Sequence, residues 1–265
     1  MNDRSRSPVE RLTAVLQEFP ALAIAVSGGV DSLTLASVAQ HAMATPPLMV
    51  HATSAAVPAE ATTRVREVAL AQGWNLREIG AGEFDDPDYL ANPYDRCYYC
   101  KSNLYRSMAA ITDRPLASGT NVDDLSDYRP GLRAASEREV VHPFVMAGID
   151  KRQVREIARH FGLHYAELPA QPCLASRIET GIPIRTVDLA FVDRLETLIR
   201  NTLELNAVVR VRVRASGVHV ELGEWPSTDI ASRLEETIRG FCIRHAYRFA
   251  ALQPYRQGSA FVEAA

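Results

Sequence analysis

No apolar run in this sequence approaches the roughly 20 residues that a membrane-spanning helix needs. Its first ten residues carry Asp3, Arg4, Arg6 and Glu10, too polar for a secretory leader, so a cytoplasmic location is expected. Cysteine is scarce. Four in 265 residues are too few for a disulfide scaffold, and close cysteines in a reducing compartment point to metal binding or redox chemistry. Excess charge of one sign is missing too. A net charge of −3 excludes polyanion binding by the chain as a whole, so nucleic acid is not an expected partner without a local basic patch. Internal repeats and low-complexity segments are absent.

What is there suffices for a core: 47% of the residues are apolar, and the length allows one large domain or a domain with a small appendage. Residues 21–26 form a short continuous apolar run of the kind that becomes a buried parallel strand. A glycine turn follows, then a helical stretch over 31–41. Residues 48–53 and 74–79 read as further strands around a helix at 58–72 that Gly73 stops. Strand alternating with helix predicts a parallel sheet covered on both faces. Residues 83–100 read as irregular, 116–118 as another strand, 150–161 as a helix and 169–183 as a long loop punctuated by proline. After residue 185 the pattern changes to a helix from Thr186, strands at 208–214 and 218–222, a helix from Ser227 and a last strand at 247–252. The expected organisation is an α/β domain over 1–185 and a small α+β domain over 186–265.

Ser27-Gly28-Gly29-Val30-Asp31-Ser32 sits between the first strand and the first helix of that pattern. Glycines let the backbone approach an anion, helix-start N–H groups point at phosphate oxygens, Ser27 and Ser32 add hydroxyls, and Asp31 suits Mg²⁺. The segment lacks the Gly-Lys-Ser/Thr ending of a Walker loop, and its glycines are wrongly spaced for a dinucleotide fingerprint. A plain glycine-rich turn is the bland alternative.

Arg210, Arg212 and Arg214 are two apart and share one face of a strand, with Glu221 on the returning strand at the parity of His219. Three guanidiniums in a row suit phosphate. A solvated edge-strand face is the competing reading. Without interleaved aromatics, a nucleic-acid patch is the weaker one. Cys97 and Cys100 form Cys-x-x-Cys, and Cys173 lies between prolines near Arg177, whose charge would favour a thiolate. An iron–sulfur cluster, a redox dithiol and zinc all stay open for the three cysteines on spacing alone. Cys242, between Phe241 and Ile243, reads as core.

The loop at 27–32 resembles the PP-loop of ATP pyrophosphatases, which implies an adenine nucleotide α-hydrolase-like fold and cleavage of ATP between its α and β phosphates. Three further segments narrow the resemblance: Asn92-Pro-Tyr-Asp-Arg-Cys97-Tyr-Tyr-Cys100-Lys101, Gly119-Thr120-Asn121-Val-Asp-Asp124 through Tyr128-Arg129-Pro130-Gly131, and Pro169-Ala-Gln-Pro-Cys173-Leu-Ala-Ser176-Arg177. Together they resemble the ATP-dependent sacrificial sulfur transferases of the LarE type, over about residues 10–225. The resemblance implies adenylation of a carboxylate of pyridinium-3,5-dicarboxylate mononucleotide and its conversion to a thiocarboxylate, in making the nickel-pincer nucleotide cofactor.

Carried over by position, the resemblance makes Cys173 the sulfur-supplying cysteine, with Asp31 and Arg177 as its catalytic companions. The loop residues with Thr53, Gly119, Thr120, Asn121 and Asp124 become the nucleotide and Mg²⁺ site, and 128–131 a clamp near the substrate. Arg212, Arg214 and Glu221 fall to the substrate phosphate. Cys97 and Cys100 depart from single-cysteine members, and with Cys173 they imply a [4Fe–4S] cluster carrying the sulfur. A sulfur donor and a homo-oligomer built through the small domain are further implied. The rival functions are tRNA thiolation, an amide-forming ligase of the NAD or GMP synthetase kind, and a nucleotide-sensing module.

Overall fold

Three apolar residues, a turn and a helix make the first structural unit of the chain, and the rest of the larger sheet is added around them. The computed structural model describes residues 6–126, 129–203 and 208–256. In chain order these form α1 (Pro8–Gln17), β1 (Ala23–Ala25), α2 (Val30–Ala42), β2 (Leu48–Ala52), α3 (Ala59–Gln72), β3 (Asn75–Ile79), α4 (Pro87–Leu90), α5 (Arg96–Ala109), β4 (Leu116–Ala117), α6 (Pro130–Glu137), α7 (Pro143–Met146), α8 (Lys151–His160), α9 (Thr186–Leu203), β5 (Val209–Arg214), β6 (Gly217–Leu222), α10 (Thr228–Arg244) and β7 (Phe249–Pro254). None of the helices among these residues is long and apolar enough to cross a membrane. The chain divides into two units. The first holds the described residues up to Asp86 together with Asp95–Gln171, and the second holds Pro87–Tyr94 with the described residues from Pro172 onward.

In the first unit all strand pairings are parallel and the order is β3-β2-β1-β4. Side chains alternate across this sheet as the two-residue period demands. Leu22, Ile24 and Met49 enter a core with residues of α1, α2, α3 and α8, while Ala23, Ala25, Leu48 and Val50 pack with Leu104, Tyr105 and Met108 of α5 and Ala135 of α6. The α/β sheet with helices on both faces is therefore what the alternation of strand and helix predicts. The chain leaves β1 for β2 on one side and later places β4 on the other. Such a switch point opens a crevice at the carboxyl ends of the two strands, where α/β sheets bind ligands.

The second unit is a three-stranded sheet in the order β5-β6-β7, antiparallel between β5 and β6 and parallel between β6 and β7, with α9 and α10. Its strands lie within one or two residues of the alternating stretches in the sequence. Short α4 and Asn92 belong to this unit because Asn92 Nδ2 donates to the carbonyls of Glu179 and Ile182, both at 2.9 Å, and Ile184 N donates to Leu90 O. The contacts thus gather 87–94 and 172–185 with the smaller sheet, whereas the sequence pattern put its change at 185/186.

One reading needs correction. Residues 83–100 are not irregular throughout: they hold α4 and the first turn of α5, so Cys97 and Cys100 stand on a helix. The prolines and acids of this stretch masked a helix whose apolar contacts, at Leu104, Tyr105 and Met108, lie beyond it. Tyr128, assigned to the clamp, lies outside the described residues.

Candidate active site

The 27–32 loop lies at the carboxyl end of β1, at the switch point. Gly28 has φ +81°, and a Cβ there would stand 2.7 Å from the carbonyl oxygen of Ala61, so both the turn and the close approach require glycine. Gly29 is the N-cap of α2 and supplies no side-chain cap, which leaves the helix start to other partners. The two serines brace the loop: Ser32 Oγ donates to Gly29 O at 3.1 Å, accepts from Ser27 N at 3.0 Å, and lies 3.1 Å from Ser27 Oγ. Backbone N–H groups at the start of a 13-residue helix, next to a left-handed glycine, form a cradle suited to phosphate. Thr53, just past β2, turns its N–H and hydroxyl to Ile79 O, at 2.9 and 3.4 Å.

The segment after β4 forms the other wall. Gly119 packs on the loop's own helix rather than facing open space, since a Cβ there would meet Ser32 N at 2.9 Å. Thr120 Oγ1 lies 3.0 Å from Ser118 Oγ, which is 2.9 Å from His142 Nδ1. Asn121 Nδ2 donates to Asp31 Oδ1 at 3.4 Å, and its Oδ1 accepts from Asp123 N. Asp124 closes this turn by accepting from Asn121 N at 3.1 Å, and it pairs with Arg129 at 2.7 Å. The structure thus joins Asp31, Gly119, Asn121 and the loop into one cluster.

Sequence reasoning passed over three residues of this site. Lys151 Nζ is ion-paired with Asp31 Oδ2. Arg64 donates to Gly28 O at 2.7 Å, and His142 faces Ser118. Lys151 had a signal in the sequence, because a cation in the first turn of a helix opposes the helix dipole and calls for a reason. Burial pushes the imidazoles of His51 and His142 below their ordinary range. His51 lies under the loop, with Nδ1 2.8 Å from Val26 O and Nε2 3.0 Å from Thr62 Oγ1.

Cys97 and Cys100 occupy the first turns of α5, one helical turn apart on one face, and both are half-buried. Cys173 belongs to the second unit, half-buried ahead of a 3₁₀ turn at Leu174–Arg177. Among the described residues, neither unit gathers three His, Cys, Asp or Glu side chains for a metal ion. Cys242 is buried in α10, and burial pushes its thiol up to about 11.

Arg177 holds the backbone around Cys173. Its Nη1 donates to Pro172 O at 2.5 Å, Cys173 O at 3.1 Å and Ser176 Oγ at 3.0 Å, while Nε and Nη2 grip Glu196 at 2.9 and 3.0 Å. Its charge is thus spent on a carboxylate that sequence reasoning did not single out. Glu196 also accepts from Val211 N on β5. The arginine strand is not a solvated face. Arg210 and Arg212 are buried, and burial pushes the Arg210 guanidinium down to about 10. Glu221 lies opposite Arg210 in register, and its carboxylate joins Arg212 at 3.2 Å and Arg214 at 3.1 Å.

No family model matches the chain. It is 34% identical over 250 residues to the uncharacterised protein slr1717 of Synechocystis sp., covering 93% of this chain and 91% of that one. The chain belongs to the family of slr1717. A second uncharacterised protein, MJ0830 of Methanocaldococcus jannaschii, is 28% identical over 222 residues, 82% of this chain and 83% of its own. The pyridinium-3,5-bisthiocarboxylic acid mononucleotide synthase of Lactiplantibacillus plantarum is a more distant homologue, 27% identical over 218 residues, 80% of this chain and 78% of the synthase. This homology supports the LarE type for the family and spans residues of both units.

Proposed function

We propose that the protein is an ATP-dependent sulfur transferase of the three-cysteine LarE type. It adenylates a carboxylate of pyridinium-3,5-dicarboxylate mononucleotide, releases pyrophosphate, and replaces AMP by sulfur to give a thiocarboxylate in nickel-pincer cofactor synthesis. The observation that carries the reading is the homology, over four-fifths of the chain, to a protein named as a bisthiocarboxylic acid mononucleotide synthase. The loop adds chemical support. Gly28 and Gly29 offer backbone donors to the phosphates of ATP, Asp31 offers a carboxylate to Mg²⁺, and Asn121 and Lys151 orient that carboxylate.

Cys97, Cys100 and Cys173 are the residues that would hold a [4Fe–4S] cluster. Cys97 and Cys100 share one face of α5, a spacing that suits two thiolate ligands, and Cys173 is the third thiol that the family resemblance supplies. Such a cluster, when bound, supplies an open iron site for sulfide. Arg177 holds the carbonyls of Pro172 and Cys173, so a buried ion pair braces the backbone that carries the thiol. Arg212 and Arg214, with Glu221, are the proposed seat of the mononucleotide phosphate. An incoming phosphate must share guanidiniums that Glu221 already holds. The reading places the enzyme in the cytoplasm as a homo-oligomer fed by a separate sulfur donor.

Mass spectrometry of a reaction with ATP, Mg²⁺, sulfide and pyridinium-3,5-dicarboxylate mononucleotide tests it. Thiocarboxylate product together with AMP and pyrophosphate is expected, from an intact chain over several turnovers. Loss of mass at Cys173 after one turnover would replace the cluster by a sacrificial cysteine. ATP binding with no pyrophosphate released would reject the enzyme.

A further inference from the structure

Arg64 has no part in the motifs, yet one of its nitrogens meets two of them. Nη1 donates to Gly28 O at 2.7 Å and to Gln171 Oε1 at 3.2 Å. Gly28 is the left-handed residue of the phosphate loop, and Gln171 is the last residue of the first unit, two before Cys173 in the chain. All three residues belong to that unit. Ala61 and Arg64 share a face of α3. Ala61 O leaves no space for a side chain at Gly28, and Arg64, one turn on, takes the Gly28 carbonyl.

A trans peptide points its C=O and N–H in opposite directions. A guanidinium on the Gly28 carbonyl therefore aims the Gly29 N–H away from α3, which presets that peptide as a donor. Burial pushes the guanidinium below its ordinary range, and Glu60 and Glu67 on the same helix oppose that effect.

We propose that Arg64 is a positioning residue that couples nucleotide binding at the loop to Gln171, and so to the segment leading into Cys173. The proposal rests on the reading of the loop as an ATP site. A phosphate held by the loop engages the preset Gly29 N–H and so holds the Gly28–Gly29 peptide more tightly in the orientation it already has. The ordered carbonyl fixes Arg64, and a guanidinium already fixed holds Gln171 with less rotamer entropy left to lose. Coupling of this kind needs no large movement, only one shared side chain.

Hydrogen exchange on the full-length protein, with and without ATP·Mg²⁺, tests the coupling beside an equilibrium measurement of ATP affinity. In the wild type, ATP is expected to slow exchange about tenfold in the peptide covering 165–176, within the usual span of coupling between sites. Gln171→Ala should bind ATP within about twofold of wild type yet lose that protection, because the acceptor is gone but the loop is intact. Gln171→Glu, which keeps an acceptor oxygen, should retain it. Arg64→Ala should lose both the protection and part of the affinity. A merely structural glutamine would not separate alanine from glutamate in this way. Protection that persists in Gln171→Ala, or that never arises in a wild type that binds ATP, overturns the proposal. A wild type that binds no ATP overturns instead the reading of the loop.

Discussion

The loop of the first unit and the arginine strand of the second are both collections of groups suited to phosphate, and they are built in opposite ways. The loop works through the backbone. Its ion pair Asp31–Lys151 is about a third exposed on each side, so both partners stay within reach of solvent and ligand. The strand works through side chains already paired with one another in the interior. Glu196 holds Arg177, and Glu221 holds Arg212 and Arg214. A cradle of N–H groups is organised before its ligand arrives and has little to give up on binding. A buried ion-pair network is organised by its own charges, so a new anion must compete with a carboxylate. The difference teaches that a row of guanidiniums, read as an anion site in sequence, also serves as a scaffold. Arg177 and Arg212 tie the Cys173 turn to β5 and β6 through Glu196, Ser176 and Glu221.

The comparison breaks most sharply at Arg177. Arg177→Ala leaves Glu196 buried without its bidentate partner, and loss of about 3–5 kcal/mol of stability is expected, as for other broken buried pairs. Urea unfolding measures it. A paired change of Arg177 and Glu196 to Met and Leu should recover part of that loss, because it removes a buried carboxylate that Arg177→Ala leaves to Arg200, at 3.5 Å, and to Val211 N. Recovery of folding without recovery of sulfur transfer would mark the pair as positioning Cys173. If the double change is as unstable as the single one, the scaffold reading is wrong.

Gly28→Ala probes the other region. The left-handed backbone costs an alanine about 1–2 kcal/mol, and its Cβ would press on Ala61 O. A smaller loss of stability than at Arg177 is therefore expected, with a much larger loss of ATP affinity, read by isothermal titration. An unfolding cost as large as that of Arg177→Ala would mean that the loop, too, is mainly a structural element.

Lys151→Ala sharpens the contrast further. A pair about a third exposed contributes little to folding, so the melting temperature should hold within a degree or two. At the proposed nucleotide site, loss of the cation beside Asp31 is expected to weaken ATP·Mg²⁺ binding about tenfold, the size of a charge-assisted bond of about 1.5–3 kcal/mol. Unchanged affinity would make Lys151 a partner for Asp31 alone.

These two regions were not equally legible. The loop was, because strand, glycine turn and helix start are consecutive, and its chemistry follows from local backbone geometry. The parallel sheet was legible for the same reason: residues 21–26, 48–53 and 74–79 carry strand signals of their own. Lys151 and Arg64 were not, since their partners lie 120 and 36 residues away. Glu196 looked like any acid within α9, and only its meeting with Arg177 across 19 residues gives it a role. The first turns of α5 hold Arg96, Cys97, Tyr98 and Tyr99 and show no apolar stripe, so the helix that carries the cysteine pair was hidden from periodicity. The arginine parity was visible, but parity says which face a side chain takes and not whether that face is wet.

Acid should separate the two regions by the smallest effect. His51 and His142 flank the loop site, and burial holds both below their ordinary value of 6.5. As pH falls below that value, the unfolded chain takes up protons that the folded one refuses. Unfolding free energy therefore rises with pH in this window and is lost toward acid. The carboxylates next to these groups act in the other direction: Glu78 and Asp124 favour the protonated imidazoles, but less than burial opposes them. Urea midpoints at pH 5.5 and 7.5 should differ in the wild type, with the lower one in acid. His51→Asn keeps a polar group near Val26 O but does not titrate, so it should flatten that dependence. An unaltered slope in the variant would take the acid sensitivity away from His51 and leave His142 as the titrating group beside the loop.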